Sequence, residues 1–322
     1  MHSSLLFKFF PPPKFMLMRH AGLEISDDAI RCLEYAGVRA PHLRIAKFAE
    51  TMLPAGLVDG GEIKDDKALA AVLSKFDRDN DLTYAKISVP EEKAYLFQTD
   101  IATTDPLAIA QNIEFKIEEN VPLAVADAVF YFDILPMTVT GGALRASVSV
   151  VPRAHIEKVI DLLRQSGIAP IAFEVVPKSI AKAVIPAHST STVMIVQIMK
   201  KKSGIYIVAG GVVCFTSTVS WGAESTAESG GSGVLTKEIS RVSAYWLSHG
   251  QASAEIKDII LVGRPAPLFE DEIRKVAAES ELSVSIGNAW SNSFSLDRYV
   301  PAISMNDSLD YAVAAGLAMD LQ

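Results

Sequence analysis

The side chains best placed for chemistry near the start of the chain lie in a short polar turn, Ser26–Asp28. Apolar and polar residues alternate on both sides of it, from Gly22 to Tyr35, which is typical of a β-hairpin whose tip is this turn. Small residues in a tight turn can leave backbone N–H groups free to cradle a phosphate. The pattern leaves two interpretations open, a phosphate-binding turn and an edge hairpin of an α/β domain.

Other patterns with catalytic or metal-binding potential are incomplete. The six histidines form no spaced pair and no cysteine accompanies them, so they do not predict a metal site. Asp77, Asp79 and Asp81 alternate like the start of a calcium loop, but the loop's required glycine and final glutamate are missing. The run Gly230–Gly233 lacks the strand–turn–helix flanks of a nucleophile elbow and is predicted to be part of a flexible loop. We expect neither a catalytic residue nor a metal ligand.

The composition is that of a globular protein with more than one structural unit. The chain has 322 residues, of which 49% are hydrophobic and 21% are charged, so two units are expected. Its formal net charge of −8 argues against a nucleic-acid partner, which would require clustered lysine and arginine. The one basic run, Lys200–Lys202, is predicted to be a solvated turn between two strands.

The sequence also favours a soluble protein in a reducing compartment. Cys32 and Cys214 lie in apolar, strand-like stretches, so we expect two small buried hydrophobes rather than a disulfide. No run reaches the length of about 18 apolar residues that a membrane-spanning helix needs, and the N-terminus lacks the apolar core of a signal peptide. Residues 1–16, rich in phenylalanine and proline, are predicted to form an extended arm, either packed on the body or used for peptide-like interaction.

The order of predicted elements repeats in the two halves of the chain. The first half begins with strands, continues with a helix that Asp65 or Asp66 can N-cap, and returns to strands. A helix–strand–strand–helix block from Pro106 to Ser166 follows and is small enough to be an inserted subdomain. The second half opens with a strand meander over 192–219 and closes with an alanine-rich helix over 308–319. This weak duplication predicts two related domains around a cleft.

Four stretches of the chain, taken in order, carry a resemblance to a known family. They are Gly22–Tyr35, Leu57–Asp65, Ile113–Leu123 and Arg153–Phe173. They are similar to the opening hairpin, the loop before the first helix, the helix ending in a proline-containing turn, and the returning helix and strand of the PilM family. PilM proteins are actin-like proteins of type IV pilus assembly, related to FtsA and to the cytoplasmic domain of type II secretion protein L. The resemblance covers about residues 20 to 320.

The resemblance implies an α/β, actin-like (RNase H-like) fold with two domains across a nucleotide cleft and a small inserted α+β subdomain. The expected division is an arm over 1–16, a first domain over 17–100 and 172–188, an inserted subdomain over 101–171, and a second domain over 189–322.

The implied function is that of a cytoplasmic scaffold in the inner-membrane assembly platform of the type IV pilus. The implied location is peripheral to the inner face of the cytoplasmic membrane, with no direct membrane span. The scaffold would bind the N-terminal cytoplasmic peptide of a PilN-like protein, and the junction between the first domain and the insertion is the expected region. Other pilus platform proteins and a second copy of the chain are further candidate partners.

The resemblance also bears on nucleotide binding. Family members that bind ATP use two Asp-Ile-Gly-type turns and a glycine-rich adenosine turn, and this chain has Glu24-Ile25-Ser26, Gln197-Ile198-Met199 and Gly263-Arg264-Pro265-Ala266 instead. One carboxylate and several glycines are lost, and Pro265 removes an N–H donor. We therefore expect no cofactor and no ATP hydrolysis, with Mg-ATP binding weak at most. The residues expected near weakly bound nucleotide are Glu24, Ser26, Asp27 and Gly263.

Two alternatives to a non-catalytic scaffold remain. The first is an actin-like or sugar-kinase-like ATPase with a divergent Mg-ATP site, which micromolar Mg-ATP binding would favour. The second is an actin-like protein of type II secretion or cell division. The sequence stops at Met319–Gln322 without an amphipathic membrane helix of the FtsA kind, and it has no membrane span of the kind that full-length secretion protein L carries. We expect these differences to disfavour the second alternative.

Overall fold

A computed structural model describes residues 19–37, 42–102, 105–138, 143–225, 231–249 and 255–319. The predicted arm over residues 1–16 and residues 226–230 of the predicted flexible loop lie outside these ranges. The strands, in chain order, are β1 (Ala21–Ile25), β2 (Ala29–Ala36), β3 (Arg44–Met52), β4 (Val58–Asp59), β5 (Glu62–Ile63), β6 (Tyr84–Val89), β7 (Tyr95–Ile101), β8 (Ala128–Thr138), β9 (Leu144–Pro152), β10 (Ala169–Val175), β11 (Thr192–Ile198), β12 (Ser203–Ala209), β13 (Val212–Val219), β14 (Ile256–Val262) and β15 (Ser283–Ile286). The α-helices are α1 (Asp66–Asn80), α2 (Pro106–Asn120), α3 (Arg153–Gln165), α4 (Val176–Val184), α5 (Gly233–His249), α6 (Glu270–Ala278), α7 (Met305–Ser308) and α8 (Ala312–Ala318).

Two five-stranded sheets have the same strand order. In the first sheet, β1, β2 and β3 are antiparallel neighbours, and β6 and then β10 continue parallel on the other side of β1. In the second sheet, β11, β12 and β13 are antiparallel neighbours, and β14 and then β15 continue parallel beside β11. The internal duplication predicted from the sequence is therefore confirmed.

The predicted opening hairpin is formed by β1 and β2. Leu23 pairs with Cys32 and Ile25 pairs with Ile30, so the turn lies at the predicted place. Successive residues of a strand face opposite sides of the sheet. Leu23 accordingly belongs to the core cluster on the α1 side, whereas a Cβ on Gly22 would lie 2.1 Å from the Ala314 carbonyl oxygen of α8 on the other. The central strand is thus covered on both faces.

The last helix, α8, packs on the first sheet, although the predicted division placed it in the second domain. All of its residues are buried. Its small residues allow close approach, since a Cβ on Gly316 would lie 1.8 Å from the Ser179 carbonyl oxygen of α4. The same core cluster contains Leu33 of β2 and Ile195 of β11. One continuous core therefore connects the two sheets.

The inserted subdomain is built on a three-stranded sheet in the order β7–β9–β8. Ile113 and Ile117 of α2 share its core with Val148 and Val150 of β9. Strand β7 pairs along its whole length with β9, so the insertion begins before the predicted boundary at residue 101. The period-two pattern predicted a strand here, but a strand pattern does not show which sheet the strand joins.

Helix α3 also lies on the other side of the predicted boundary. Its residues Val159, Leu162 and Leu163 join the core cluster of the first domain, together with Leu69 and Leu73 of α1. The sequence correctly predicts a helix with one apolar face. Most of this face therefore covers the first domain, while the first turn of α3 also packs against β9 of the inserted sheet.

The inserted sheet contacts β13, the outer strand of the second sheet. The Gln98 side-chain amide donates to the Cys214 carbonyl oxygen at 3.1 Å, and the Ser147 hydroxyl donates to the Val213 carbonyl oxygen at 2.5 Å. Leu135 of β8 is part of the core cluster of the second sheet. The insertion therefore links the first domain to the second.

Candidate functional site: the interdomain cleft

Three turns from the two sheets meet at the cleft between them: the β1–β2 turn, the β11–β12 turn and the turn after β14. Of the residues predicted to lie near a nucleotide, Glu24, Ser26 and Asp27 belong to the first turn and its strand, and Gly263 opens the third. The Asp27–Lys202 ion pair joins the first turn to the second, and Gly263 of the third turn packs against Ile198 at the end of β11. The structure therefore brings the predicted residues into one region.

Asp27 has the most contacts of these residues. Its Oδ2 and Oδ1 atoms accept hydrogen bonds from the backbone N–H groups of Gly60 at 3.1 Å and Gly61 at 3.0 Å. These glycines form the two-residue turn between β4 and β5, with φ angles of 56° and 68° that suit glycine. The Lys202 ammonium lies 2.9 Å from Oδ2. Burial opposes ionisation, but the hydrogen bonds from Gly61 and Lys202 outweigh it and lower the pKa of Asp27.

Lys202 is not the solvated residue that the sequence predicts. Its ammonium pairs with both Asp27 and Glu92, and only 17% of its side chain is exposed. Burial opposes the charged form, but Glu92 and Asp27 outweigh this effect and raise the pKa of Lys202. The predicted β11–β12 turn is present, and its third lysine reaches from the second domain to the first.

Near Lys202 lies a buried group of hydrogen-bonded side chains, which the sequence does not predict. The Tyr206 hydroxyl donates to Glu91 Oε1 at 2.7 Å and lies 2.9 Å from Gln197 Oε1. Gly204 makes room for this phenol, because a Cβ there would lie 2.0 Å from the Tyr206 oxygen. Burial and the neighbouring Glu92 raise the pKa of Glu91. In the sequence, Glu91 follows a proline and reads as part of a charged turn, so only the fold identifies its buried position.

Glu24 is buried on β1 beside Arg31 of β2. The Arg31 guanidinium lies 3.6 Å from Glu24 Oε2, and it also contacts Glu50 of β3 at 2.8 Å and Asp310 at 3.4 Å. Burial raises the pKa of Glu24 to about 7, with Arg31 opposing the shift and the nearby Asp310 and Glu50 carboxylates adding to it. Glu24 therefore faces a network of charges that belongs to the chain itself.

Ser26 closes its own turn. Its hydroxyl donates to the Ala29 carbonyl oxygen at 2.9 Å and accepts from the Ala29 N–H at 3.1 Å. The Ser26 backbone N–H also donates to the Ala29 carbonyl oxygen. Both polar groups of Ser26 that could meet a phosphate are thus used within the hairpin.

Gly263 allows close packing between the turn after β14 and β11. Its φ angle is 98°, and a Cβ would lie 2.0 Å from the Ile198 carbonyl oxygen. The Arg264 backbone N–H donates to Asp310 Oδ1 at 2.7 Å, and the Arg264 guanidinium lies 3.2 Å from Asp307 and from Asp310. The turn is therefore attached to the segment that contains α7 and leads into α8.

The arrangement of two equivalent α/β sheets on either side of a cleft, with a subdomain inserted in the first, defines an actin-like fold. A chain of the solved PilM–PilN type IV pilus biogenesis complex is similar to this chain with a TM-score of 0.74 at 16% sequence identity, covering 94% of this chain and 98% of that chain. The ethanolamine utilization protein EutJ from Carboxydothermus hydrogenoformans gives a TM-score of 0.51 at 12% identity, covering 96% and 90%. The fold implied by the resemblance to PilM is thereby confirmed. No protein-family model and no curated protein sequence matches this chain.

No helix in the described ranges of the chain combines the length and the apolar character that crossing a bilayer requires. No group of three or more His, Cys, Asp or Glu side chains within these ranges could hold a metal ion. Cys32 and Cys214 are buried free thiols, as predicted, and burial raises the pKa of each to about 12.

Proposed function

We propose that this chain is a scaffold of the type IV pilus inner-membrane assembly platform and binds the N-terminal cytoplasmic peptide of a PilN-like protein. The observation that carries the proposal is the similarity in fold to a chain of the PilM–PilN complex, which covers nearly the whole of both chains. The proposed location is the cytoplasm, at the inner face of the cytoplasmic membrane, with recruitment through the PilN-like partner. Two buried free thiols fit a reducing compartment.

The proposed peptide site is the junction between the first sheet and the inserted subdomain. Strand β10 is the outer strand of the first sheet and β8 is the outer strand of the inserted sheet, so each has an edge without a neighbour among the described strands. Ile171 on β10 is 40% exposed and Tyr131 on β8 is 55% exposed. An extended peptide can hydrogen-bond to a strand edge and place apolar side chains against such residues.

Helix α4, which directly follows β10, joins the two sides of this junction. The Lys178 ammonium lies 2.7 Å from Asp133 Oδ2 on β8 and 3.9 Å from the centre of the Tyr131 ring. The Tyr131 hydroxyl donates to Asp133 Oδ1 at 2.8 Å. These contacts hold α4 and β8 together before any peptide arrives, which reduces the entropy lost on binding.

We also propose that the cleft does not hydrolyse ATP and has no resident cofactor. The groups that would meet Mg-ATP already have partners within the chain. Ser26 bonds to its own turn, and Asp27 bonds to the Gly60–Gly61 turn and to Lys202. Glu24 faces a guanidinium rather than open solvent. A nucleotide would have to displace several of these contacts at once.

Co-purification tests the proposed role. The N-terminal cytoplasmic peptide of the PilN-like protein from the same organism would be fused to a carrier and used as bait for the purified chain. Retention by this fusion, but not by the carrier alone or by a fusion with a scrambled peptide, is the expected result. Failure to bind any cytoplasmic segment of the pilus platform proteins would contradict the proposal.

A further inference from the structure

The hydrogen-bond donors around Asp27 are arranged like those of an anion-binding site. Two successive backbone N–H groups, those of Gly60 and Gly61, point at the two oxygens of one carboxylate. Successive N–H groups of this kind form concavities that bind anions. Lys202 adds a positive charge 2.9 Å from the same carboxylate. The occupant of this site is a side chain of the protein itself.

The parts of this site come from three separate elements. Asp27 lies in the β1–β2 turn, the glycines lie in the β4–β5 turn, and Lys202 comes from the second domain. The glycine turn is held by packing that does not involve Asp27, since a Cβ on Gly61 would lie 2.7 Å from the Pro90 Cβ atom. Pro90 lies two residues before Glu92, the other carboxylate that pairs with Lys202. The donors therefore have supports of their own.

We propose that the Gly60–Gly61 turn and Lys202 form an anion site that Asp27 fills from within the chain, so that an internal carboxylate holds the two domains together at the cleft. The ligand class is a carboxylate, because the two N–H donors each contact a different oxygen of one carboxylate group, which a monatomic anion such as chloride cannot offer. A polyphosphate is disfavoured because Glu92 also contacts Lys202 and would repel additional negative charge. This inference does not depend on the proposed pilus role.

A tethered ligand has a high effective concentration at its site. Free anions at millimolar concentration are therefore not expected to displace Asp27 in the wild-type chain. Removal of the Asp27 carboxylate, by contrast, should leave a site that an anion from solution can fill. This difference provides the test.

The test compares the melting temperatures of wild type, Asp27→Ala and Asp28→Ala in sodium chloride and in sodium formate at equal ionic strength. We expect Asp27→Ala to melt at least about 2 °C lower in chloride, and formate to restore most of this loss. Asp28 lies in the same turn, and its carboxylate has no hydrogen bond or ion pair among the described residues. Asp28→Ala and wild type should therefore respond equally to the two salts.

An equal formate response in Asp27→Ala and wild type would overturn the proposal. Adding Lys202→Met to Asp27→Ala should abolish the formate effect, and an effect that persists would place the anion elsewhere and contradict the assignment. If Asp27→Ala does not fold in chloride, folding restored by formate supports the site. If neither salt restores folding, a double-mutant cycle of Asp27→Asn and Lys202→Met decides: coupling between the two positions supports the site, and its absence overturns it.

Discussion

Lys202 of the second domain places its ammonium 2.9 Å from the Asp27 carboxylate of the first domain. The same ammonium pairs with Glu92, so one cation connects two segments of the first domain to the β11–β12 turn. A second ionic link joins Arg264, which follows β14, to Glu50 on β3 at 3.5 Å. Charges of the chain itself therefore span the cleft at two places.

Replacing Lys202 by methionine should destabilise the chain by about 1–3 kcal/mol, because Asp27 and Glu92 would be left as two uncompensated, largely buried carboxylates. The matched control is Lys201→Met, since Lys201 is the exposed neighbour in the same turn, and its effect should stay within about 0.5 kcal/mol. Urea unfolding measures both variants. Equal losses would mean that Lys202 does not bridge the domains.

Gly263→Ala should lower the free energy of unfolding by about 2–4 kcal/mol, because the new methyl group would overlap the Ile198 carbonyl oxygen and the backbone has a positive φ angle. Gly211→Ala separates these two causes. Gly211 also has a positive φ angle, 82°, but a Cβ there meets no atom within 4 Å, so about 1–2 kcal/mol is expected from backbone strain alone. Similar losses in chemical unfolding of the two variants would refute the packing role of Gly263.

Glu24 should make stability depend on pH. Burial raises its pKa from 4.5 to about 7 in the folded chain, so between these values the folded state holds a proton that the unfolded state has released. The contribution of Glu24 to stability therefore falls as pH rises from about 4.5 to about 7. Glu24→Gln removes this titration, and its stability relative to wild type should increase by about 1–3 kcal/mol between about pH 5 and about pH 8. A stability difference that does not change with pH would contradict this account.

Mg-ATP at micromolar concentrations should not bind the wild-type chain. At the cleft, Asp27 and Lys202 already pair with each other. In the turn after β14, Gly263 packs closely against the Ile198 carbonyl group, and the Arg264 backbone N–H donates to Asp310 rather than to an adenosine. Calorimetric titration with Mg-ATP provides the measurement, with an ATP-binding actin-like protein as positive control. Saturable heat at micromolar Mg-ATP would instead favour the ATPase alternative.

Local elements of this fold could be predicted because their signals are local. The alternation around Ser26–Asp28 predicted a hairpin, and Asp65 caps α1 as expected, its carboxylate accepting a hydrogen bond from the Ala68 N–H at 3.0 Å. The allocation of elements to domains could not be predicted equally well. An apolar helix face, such as that of α3, indicates that the helix packs on a sheet, but it does not indicate which of the sheets.

The candidate site could be predicted only in part, for a related reason. The resemblance led to Glu24, Asp27 and Gly263, which lie at the cleft. Their partners come from distant parts of the chain, and nothing in the run Lys200–Lys202 distinguishes the third lysine from the first two. Tyr206 reads as an ordinary strand residue, and its contact with Glu91 exists only once the two domains meet.

The affinity of the PilN-like peptide for variants at the β8–β10 junction tests the central claim most directly. Ile171→Asp would place a charge beneath the bound peptide, whereas Leu247→Asp changes a residue on α5 of the second domain that is 64% exposed. We predict by calorimetry that wild type and Leu247→Asp bind the peptide with the same Kd, and that Ile171→Asp binds at least about tenfold more weakly. Equal binding by all three proteins would contradict the proposed site, and no binding by the wild type would contradict the scaffold function itself.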